Sequence, residues 1–149
     1  MDRIDHDIVQ CLVAEGRATF AKVAGTVGLS VAATKRRVDR LVADGVIQGF
    51  TAVVDPQALG WNLEAHVQLF TNGTVPFPTM RRDLAGVPEI VEAFTVAGPA
   101  DAAMRVVAGD MAHLERVISH VRGLPYVQQT DTTLLLSRLI RRPMVDTEK

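Results

Sequence analysis

The sequence contains a single cysteine, Cys11, so no internal disulfide can form. Cys11 lies within an apolar helical pattern, which predicts a small core residue rather than a nucleophile. No apolar run approaches the ~20 residues that a membrane-spanning helix needs. The first ten residues also lack the apolar core and the cleavage site of a signal peptide. We therefore expect a cytoplasmic protein with no membrane partner.

The chain also lacks a basic excess. Its 16 lysine and arginine residues stand against 17 aspartate and glutamate residues, a formal net charge of -1 at pH 7. Residues 1–60 taken alone contain seven residues of each sign. The chain therefore has no global basic field, which argues against nucleic acid as a partner, and DNA binding would have to depend on the local placement of basic side chains.

Sequence motifs for catalysis are lacking as well. The four histidines, His6, His66, His113 and His120, do not have the spacing of metal ligands, and there is no cysteine pair or HExxH motif. A phosphate-binding glycine-rich loop and a serine nucleophile elbow are also missing. We predict no catalytic residues, no metal and no cofactor, and we expect His113 and His120 to lie on the outer side of their helix.

Three short amphipathic helices are predicted at the start of the chain. The first helix, over residues 2–14, has an apolar stripe with helical spacing: Ile4, Ile8, Cys11 and Leu12. Thr19 is the candidate N-cap of a second helix, which Gly28 ends, and Ser30 is the candidate N-cap of a third helix that reaches Asp44. A turn of about three residues between two small helices is typical of a helix-turn-helix.

The third helix has a predicted buried stripe of Val31, Thr34, Val38, Leu41 and Val42. Its opposite face has small residues near the N-terminus, which allow close approach to base edges, and basic residues beyond them, which reach phosphates or guanine acceptors. The predicted DNA contacts are Ser30, Ala32, Ala33, Lys35, Arg36 and Arg40. A solvated helical face is the alternative explanation of this pattern. Arg37 lies nearer the stripe and is expected to brace the first helix through a carboxylate, Asp5 or Asp39.

Residues 46–54 are mostly apolar with Gly49 among them, which indicates extended chain and a small hairpin that would act as a wing. The turn-forming residues 55–60 mark a domain boundary. We therefore predict a helix-turn-helix domain with its linker at residues 1–60, a second domain at residues 61–142 and a flexible tail at residues 143–149.

The second domain has the predicted order β-α-β-β-α-β, with strands at residues 63–71, 89–97, 102–108 and 127–140 and helices at residues 77–84 and 111–121. A four-residue connection at 98–101 makes the second and third strands an antiparallel hairpin. This order is that of a ferredoxin-like (ACT-like) fold, an α+β domain with both helices on one face of the sheet. Because the second strand is apolar at both parities, we expect a second copy of the chain to cover the other face.

One spaced series of residues runs through the first domain: Asp2 and Asp5, Gly16-Arg17, Leu29-Ser30, Arg36-Arg37-Val38, Leu41 and residues 45–50. The series resembles the Lrp/AsnC family of bacterial and archaeal regulators. The resemblance covers nearly the whole chain, since this family joins a winged helix-turn-helix to a βαββαβ domain with a glycine-and-aspartate turn. It implies a sequence-specific transcriptional regulator, not an enzyme, that binds double-stranded DNA as a homodimer assembling to tetramers or octamers and responds to an amino acid.

The resemblance also implies an effector site at the glycine turn, near a subunit interface, with polar residues early in the last strand. The matching positions are Gly98, Pro99, Ala100, Asp101, Gln128 and Thr130. In such a site the backbone amides of the turn would bind an effector carboxylate, and Asp101 would bind an ammonium group or orient the loop. A plain hairpin connection explains the same residue types equally well.

Two other functions are compatible with this architecture. Sirohaem decarboxylases resemble Lrp/AsnC proteins and bind a tetrapyrrole in the second domain, where His66 or His113 would have to serve the cofactor. A Soret absorption band would distinguish that enzyme. An architectural DNA-binding protein without an effector is the other alternative, and it would lack both sequence preference and a ligand response.

Overall fold

The chain folds as two units that divide between Val53 and Val54, just before the turn-forming residues 55–60. The structure is a computed structural model that describes residues 1–140, so the tail predicted at residues 143–149 lies outside the described residues. Each unit has its own cluster of buried apolar side chains. No helix within residues 1–140 combines the length and the apolar character that crossing a bilayer requires.

Three helices form the first unit: α1 (Arg3–Ala14), α2 (Phe20–Val27) and α3 (Val31–Ala43). The predicted caps Thr19 and Ser30 are present, and each side chain accepts a hydrogen bond from a backbone N–H in the first turn of its helix. Gly28 ends α2 in the left-handed region at φ +69°, which lets α3 start only three residues later. The helices enclose a small core of Ile8, Val23, Val38 and Leu41.

Residues 46–54 form no strand, so the small hairpin predicted there is not formed. The apolar residues on which that prediction rested, such as Phe50 and Val53, are exposed. An isolated two-stranded hairpin buries too little surface to be stable in water, and no third strand of the first unit lies beside this segment.

The second unit contains one four-stranded sheet and two α-helices. Its elements are β1 (Leu63–Thr71), α4 (Phe77–Ala85), β2 (Ile90–Thr95), β3 (Ala102–Ala108), α5 (Met111–Arg122) and β4 (Val127–Leu135), after a 3-10 helix at Pro56–Leu59. All three strand pairings are antiparallel and the order is β2-β3-β1-β4. This confirms the ferredoxin-like prediction. β4 ends at Leu135 rather than at residue 140, because its pairing with β1, its neighbour in the described sheet, ends at Glu64.

One face of this sheet packs against both helices. Alternate residues of β1, namely Ala65, Val67 and Leu69, are fully buried. They lie beside Met104, Val106 and Ala108 of β3 and beneath Leu114, Ile118 and Val121 of α5. The alternation follows from the period of two in a strand, because every second side chain points to the same face.

The face of the sheet without helices is charged at its centre, where an apolar surface was expected. Arg105 lies 3.4 Å from a carboxylate oxygen of Glu64 and 3.5 Å from one of Glu92. His66 is the direct cross-strand neighbour of Arg105. The expectation was drawn from β2, whose exposed Phe94 lies toward the edge of the sheet. The sheet face without helices is therefore not apolar across all four strands, although both faces of β2 were predicted to be apolar.

Candidate nucleic-acid interface and effector site

The outward face of α3 exposes most of the residues predicted to contact DNA. Ala32, Lys35, Arg36 and Arg40 are exposed and Ala33 is partly exposed. Ser30 acts as the helix cap, since its hydroxyl accepts a hydrogen bond from the amide of Ala33 at 3.2 Å. The cap holds the first turn of α3 in place, and this turn is the part of a recognition helix that approaches base edges.

Carboxylates bind two of the three basic residues on this face. Lys35 Nζ donates to Asp39 Oδ2 at 2.7 Å, one helical turn away, and both side chains are more than half exposed. Arg40 Nη2 donates to Asp5 Oδ2 on α1, also at 2.7 Å. Among the described residues, Arg36 makes no ion pair or side-chain hydrogen bond. Arg36 is therefore the basic side chain of α3 that is ready to meet a phosphate or a base.

Arg37 braces α1 against α3, as expected from its position near the apolar stripe. Its Nη1 donates to Asp5 Oδ1 and to Asp2 Oδ2, each at 2.7 Å. Burial would raise the pKa of Asp5, but hydrogen bonds from the Asp2 amide and from Arg37, together with the charge of Arg40, hold this pKa below its usual value. Asp5 is therefore a buried carboxylate that stays charged.

Val31 was assigned to the buried stripe, but the structure leaves it 50% exposed at the first position of α3. At this first position the side chain lies outside the core of the first unit. Next to Ala32, Val31 offers an apolar contact of the kind that recognises the methyl group of thymine. Its place as the first residue after the Ser30 cap was the signal in the sequence that could have identified it.

The predicted effector residues come together at one end of the sheet. In the strand register, Leu69 of β1 lies opposite Ala102 on one side and opposite Thr130 on the other. The β2–β3 turn at residues 98–101 therefore lies one strand away from the start of β4. Gln128 is exposed near the N-terminal end of β4.

Asp101 orients the turn. Its Oδ2 accepts hydrogen bonds from the amide of Thr71 at 2.7 Å and from the Thr71 hydroxyl at 2.9 Å, and its own amide donates to the carbonyl of Leu69 at 3.0 Å. Ala100 is buried, whereas Gly98 and Pro99 are exposed. A Cβ atom at Gly98 would meet no atom within 4 Å, and its φ does not require glycine. The missing side chain therefore leaves open space above the turn.

Thr130 is buried and already has a partner, because its hydroxyl accepts from Arg122 Nε at 2.7 Å. This places the exposed guanidinium of Arg122, at the end of α5, beside the candidate effector residues. Sequence reasoning missed Arg122, since a basic residue in the last turn of a helix is expected for electrostatic reasons alone.

Family comparison accounts for both units. A family model described as the Lrp/AsnC ligand binding domain matches residues 64–145, and a winged helix-turn-helix DNA-binding model matches residues 1–48. The chain belongs to the Lrp/AsnC family. It is a DNA-binding transcriptional regulator of the Lrp/AsnC type, as the sequence resemblance implied.

Relatives of this Lrp/AsnC regulator match it over almost their full length. The HTH-type transcriptional regulator Rv2324 of Mycobacterium tuberculosis is 45% identical over 142 residues, 95% of this chain and 96% of the relative. The crystal structure of the leucine response regulatory protein LrpA of M. tuberculosis superposes with a TM-score of 0.88 at 31% identity, covering 98% of this chain and 100% of the other. The M. tuberculosis feast or famine regulatory protein Rv3291c, solved in complex with L-methionine, has the same TM-score and identity, with 94% and 95% covered.

His113 of this Lrp/AsnC regulator was predicted to lie on the outer side of its helix, but its ring is hydrogen-bonded within the second unit. Its Nδ1 accepts from the amide of Gly109 at 3.3 Å, so Nε2 carries the proton that is donated to Glu89 Oε1 at 2.9 Å. The ring also lies 5.9 Å from that of Trp61. His66 is on the face of the sheet without helices and His113 is on α5, so a tetrapyrrole site would use one of these two histidines and not both. Within residues 1–140, no group of three or more His, Cys, Asp or Glu side chains could hold a metal ion.

The hydrogen bond from His113 lowers the pKa of Glu89 and makes its contribution to stability pH-dependent. A carboxyl whose pKa is lower in the folded state stabilises the protein above its unfolded pKa, about 4.3, and loses this contribution as the pH falls through the folded value. We expect Glu89→Gln to reduce the free energy of unfolding at about pH 6, and the difference from wild type to vanish near pH 3. Urea denaturation at both pH values measures this, with Glu115→Gln on the exposed side of α5 as control. Equal stabilities at pH 6 would contradict the prediction.

Proposed function

We propose that this regulator reads operator DNA with the N-terminal part of α3 in the major groove, as a homo-oligomer, and that an amino acid bound at the β2–β3 turn alters DNA binding. The observation that carries the proposal is the exposed end of α3, where Val31 and Ala32 precede Arg36, which forms no ion pair with the part of the chain that the structure describes. The apolar side chains suit thymine methyl groups, and the guanidinium suits the two acceptors of guanine.

Lys35 suits a phosphate contact, and Arg40 a phosphate or a guanine base, because their carboxylate partners leave them partly exposed. On binding, Lys35 would exchange the carboxylate of Asp39 for a phosphate oxygen at little cost, since exposed ion pairs contribute only about 0 to 1 kcal/mol. Ser30 would contribute through the orientation of the first turn, and Ala33 through close approach to the bases.

An α-amino acid has the chemistry that suits the effector residues. Its carboxylate would accept from the amides of Gly98 and Ala100 and from Arg122, since Pro99 has no N–H and the Asp101 amide already donates to Leu69. Its ammonium would meet the Asp101 oxygen that Thr71 leaves free. Pro99 and Ala100 favour an apolar side chain of modest size. The L-methionine complex of the 31% identical relative supports this class of ligand. Gln128 and Thr130 would form the wall on the β4 side.

A homodimer that assembles further to a tetramer or octamer is part of the same proposal. The exposed apolar side chains of the second unit support it, since several of them line a groove of about 860 Å³ between α4 and β2. Phe77, Val91 and Phe94 are among them. Contiguous apolar surface of this kind marks protein contacts, and closed symmetry makes a second copy of the chain the simplest partner.

A thermal scan of the full chain against the twenty common amino acids tests the effector proposal. A ligand at one hundred times its dissociation constant stabilises the native state by about 2.7 kcal/mol, which gives a clear increase in Tm. We expect Gly98→Trp, which fills the space above the turn, and Asp101→Ala to remove this increase. Light scattering on the same samples should give at least a dimer.

Gly25→Trp is the matched control, because a Cβ atom at Gly25 also meets nothing within 4 Å but lies on α2 of the other unit. Its ligand-induced shift should equal that of the wild type. If no amino acid shifts the wild type, residues 98–101 are a plain hairpin connection. If a ligand shifts both turn variants as much as the wild type, it binds elsewhere.

A further inference from the structure

We infer that Asp5 on α1 is a positioning residue for DNA recognition, because it fixes the orientation of the Arg40 guanidinium on α3. The inference rests on the proposed DNA-binding role of α3. Asp5 lies on α1, so the inference is that a residue outside α3 contributes to the sequence specificity of α3.

The carboxylate of Asp5 is buried and fully engaged. Its side chain is 2% exposed. Oδ1 accepts from Arg37 Nη1 at 2.7 Å, and Oδ2 accepts from Arg40 Nη2 at 2.7 Å and from the backbone amide of Asp2 at 3.1 Å. Each oxygen is thus held in a fixed direction, and a carboxylate fixed in this way fixes the donors that point at it.

Arg37 and Arg40 differ in how much of each guanidinium is left for contact with DNA. Arg37 is 24% exposed and has a second acceptor in Asp2, so it is used within the unit. Arg40 is 52% exposed, and Asp5 is its only acceptor among the described residues. A guanidinium has five N–H donors in one plane. Asp5 accepts from one of these donors, Nη2, and so fixes the orientation of the Arg40 guanidinium in the protein without DNA. The other donors remain available for DNA.

This arrangement has opposite effects on two kinds of binding. A fixed planar fork favours the one phosphate or base that matches its geometry, because less side-chain freedom is lost on contact. The negative charge of Asp5 meanwhile weakens the attraction of α3 to any phosphate, and that attraction dominates non-specific binding. Asp5 therefore raises the ratio of specific to non-specific affinity rather than affinity as such.

The test uses the full-length protein. An operator is first selected from a pool of random duplexes with the wild type, and Kd is then measured for this operator and for a scrambled duplex at several salt concentrations. For Asp5→Asn we expect the affinity ratio to fall about tenfold, within the range of a single well-placed contact. Arg40→Ala should lower the ratio similarly, and the double variant no further, since the two residues act as one unit.

Asp7→Asn is the matched control, an exposed aspartate of the same helix that loses the same charge. Its ratio should equal that of the wild type. If Asp5→Asn weakens both duplexes by one factor, Asp5 has a merely structural role and the inference is overturned. If Asp5→Asn does not fold, Arg40→Lys decides, because it keeps the charge and removes the fork: a lower ratio at an unchanged salt slope supports the inference, and an unchanged ratio overturns it. A wild type that selects no duplex would overturn the proposed DNA-binding mode of α3 instead.

Discussion

Replacing Lys35, Arg36 and Arg40 together by alanine is expected to weaken operator binding by roughly 10² to 10⁴-fold. Each lost phosphate contact should lower the slope of log affinity against log salt by about one unit, and a lost base-reading arginine should cost about 1 to 3 kcal/mol. The expected 10² to 10⁴-fold loss corresponds to about 2.7 to 5.5 kcal/mol, since each tenfold is about 1.4 kcal/mol. Arg36→Ala should have the largest single effect, since within residues 1–140 its guanidinium pairs with no carboxylate that it would have to leave.

A triple variant of the second unit, Arg81→Ala with Arg82→Ala and Arg116→Ala, is the control for this experiment. It removes three exposed positive charges as well, but from α4 and α5. We expect a much smaller loss of affinity, because charges away from the contact surface act only through the screened field of the whole protein. If the α3 triple variant, with unchanged circular dichroism and subunit count, binds the operator like the wild type, α3 is not the recognition helix.

Truncation of Leu69 to alanine is expected to destabilise the second unit by about 2 to 5 kcal/mol. Leu69 is fully buried at the end of β1, between Ala102 and Thr130 in the register. Its removal leaves a void beneath the β2–β3 turn, and close-packed surroundings fill such a void only in part. The carbonyl that accepts from Asp101 would shift with it, so the ligand-induced increase in Tm should also diminish.

Urea denaturation followed by tryptophan fluorescence measures this loss, because Trp61 is the only tryptophan and packs within the second unit. Leu59→Ala makes the same chemical change at a side chain that is 62% exposed. Its effect should stay within about 0.5 kcal/mol. A Leu69→Ala protein that lost less than about 1 kcal/mol would show that the end of β1 is not part of the core.

Elements with a strong period were predictable from the sequence. β1 and β3 have the predicted bounds. β1 alternates more buried with less buried residues, and β3 is a nearly continuous buried apolar run that ends at turn-forming residues on both sides. The caps of α2 and α3 followed from threonine and serine before an apolar repeat. β4 was predicted too long because apolar residues such as Leu136 and Leu139 continue beyond the last paired position, although no strand lies beside them.

The contacts within the candidate sites were not predictable, because they join distant parts of the chain. The sequence predicted that Arg40 is exposed, and it is. Its hydrogen bond to Asp5 was not predictable, because it joins residues 35 positions apart and depends on how α1 packs against α3. His113 was placed on an outer helical face, and only the path of the loop before β2 brings Glu89 to it. Arg122 and Thr130 likewise meet only because α5 and β4 are packed together.

The irregular edge of the sheet at β2 also affects how this protein avoids fibrillar aggregation. The register between β2 and β3 shifts between Ile90 and Glu92, and Glu92 presents its carboxylate next to the shift. A straight, uncharged edge strand is a template on which further strands add without limit, whereas a bulge and a charge interrupt the row of free backbone groups. At the β2 edge, newly made chains are thereby protected from open-ended strand addition.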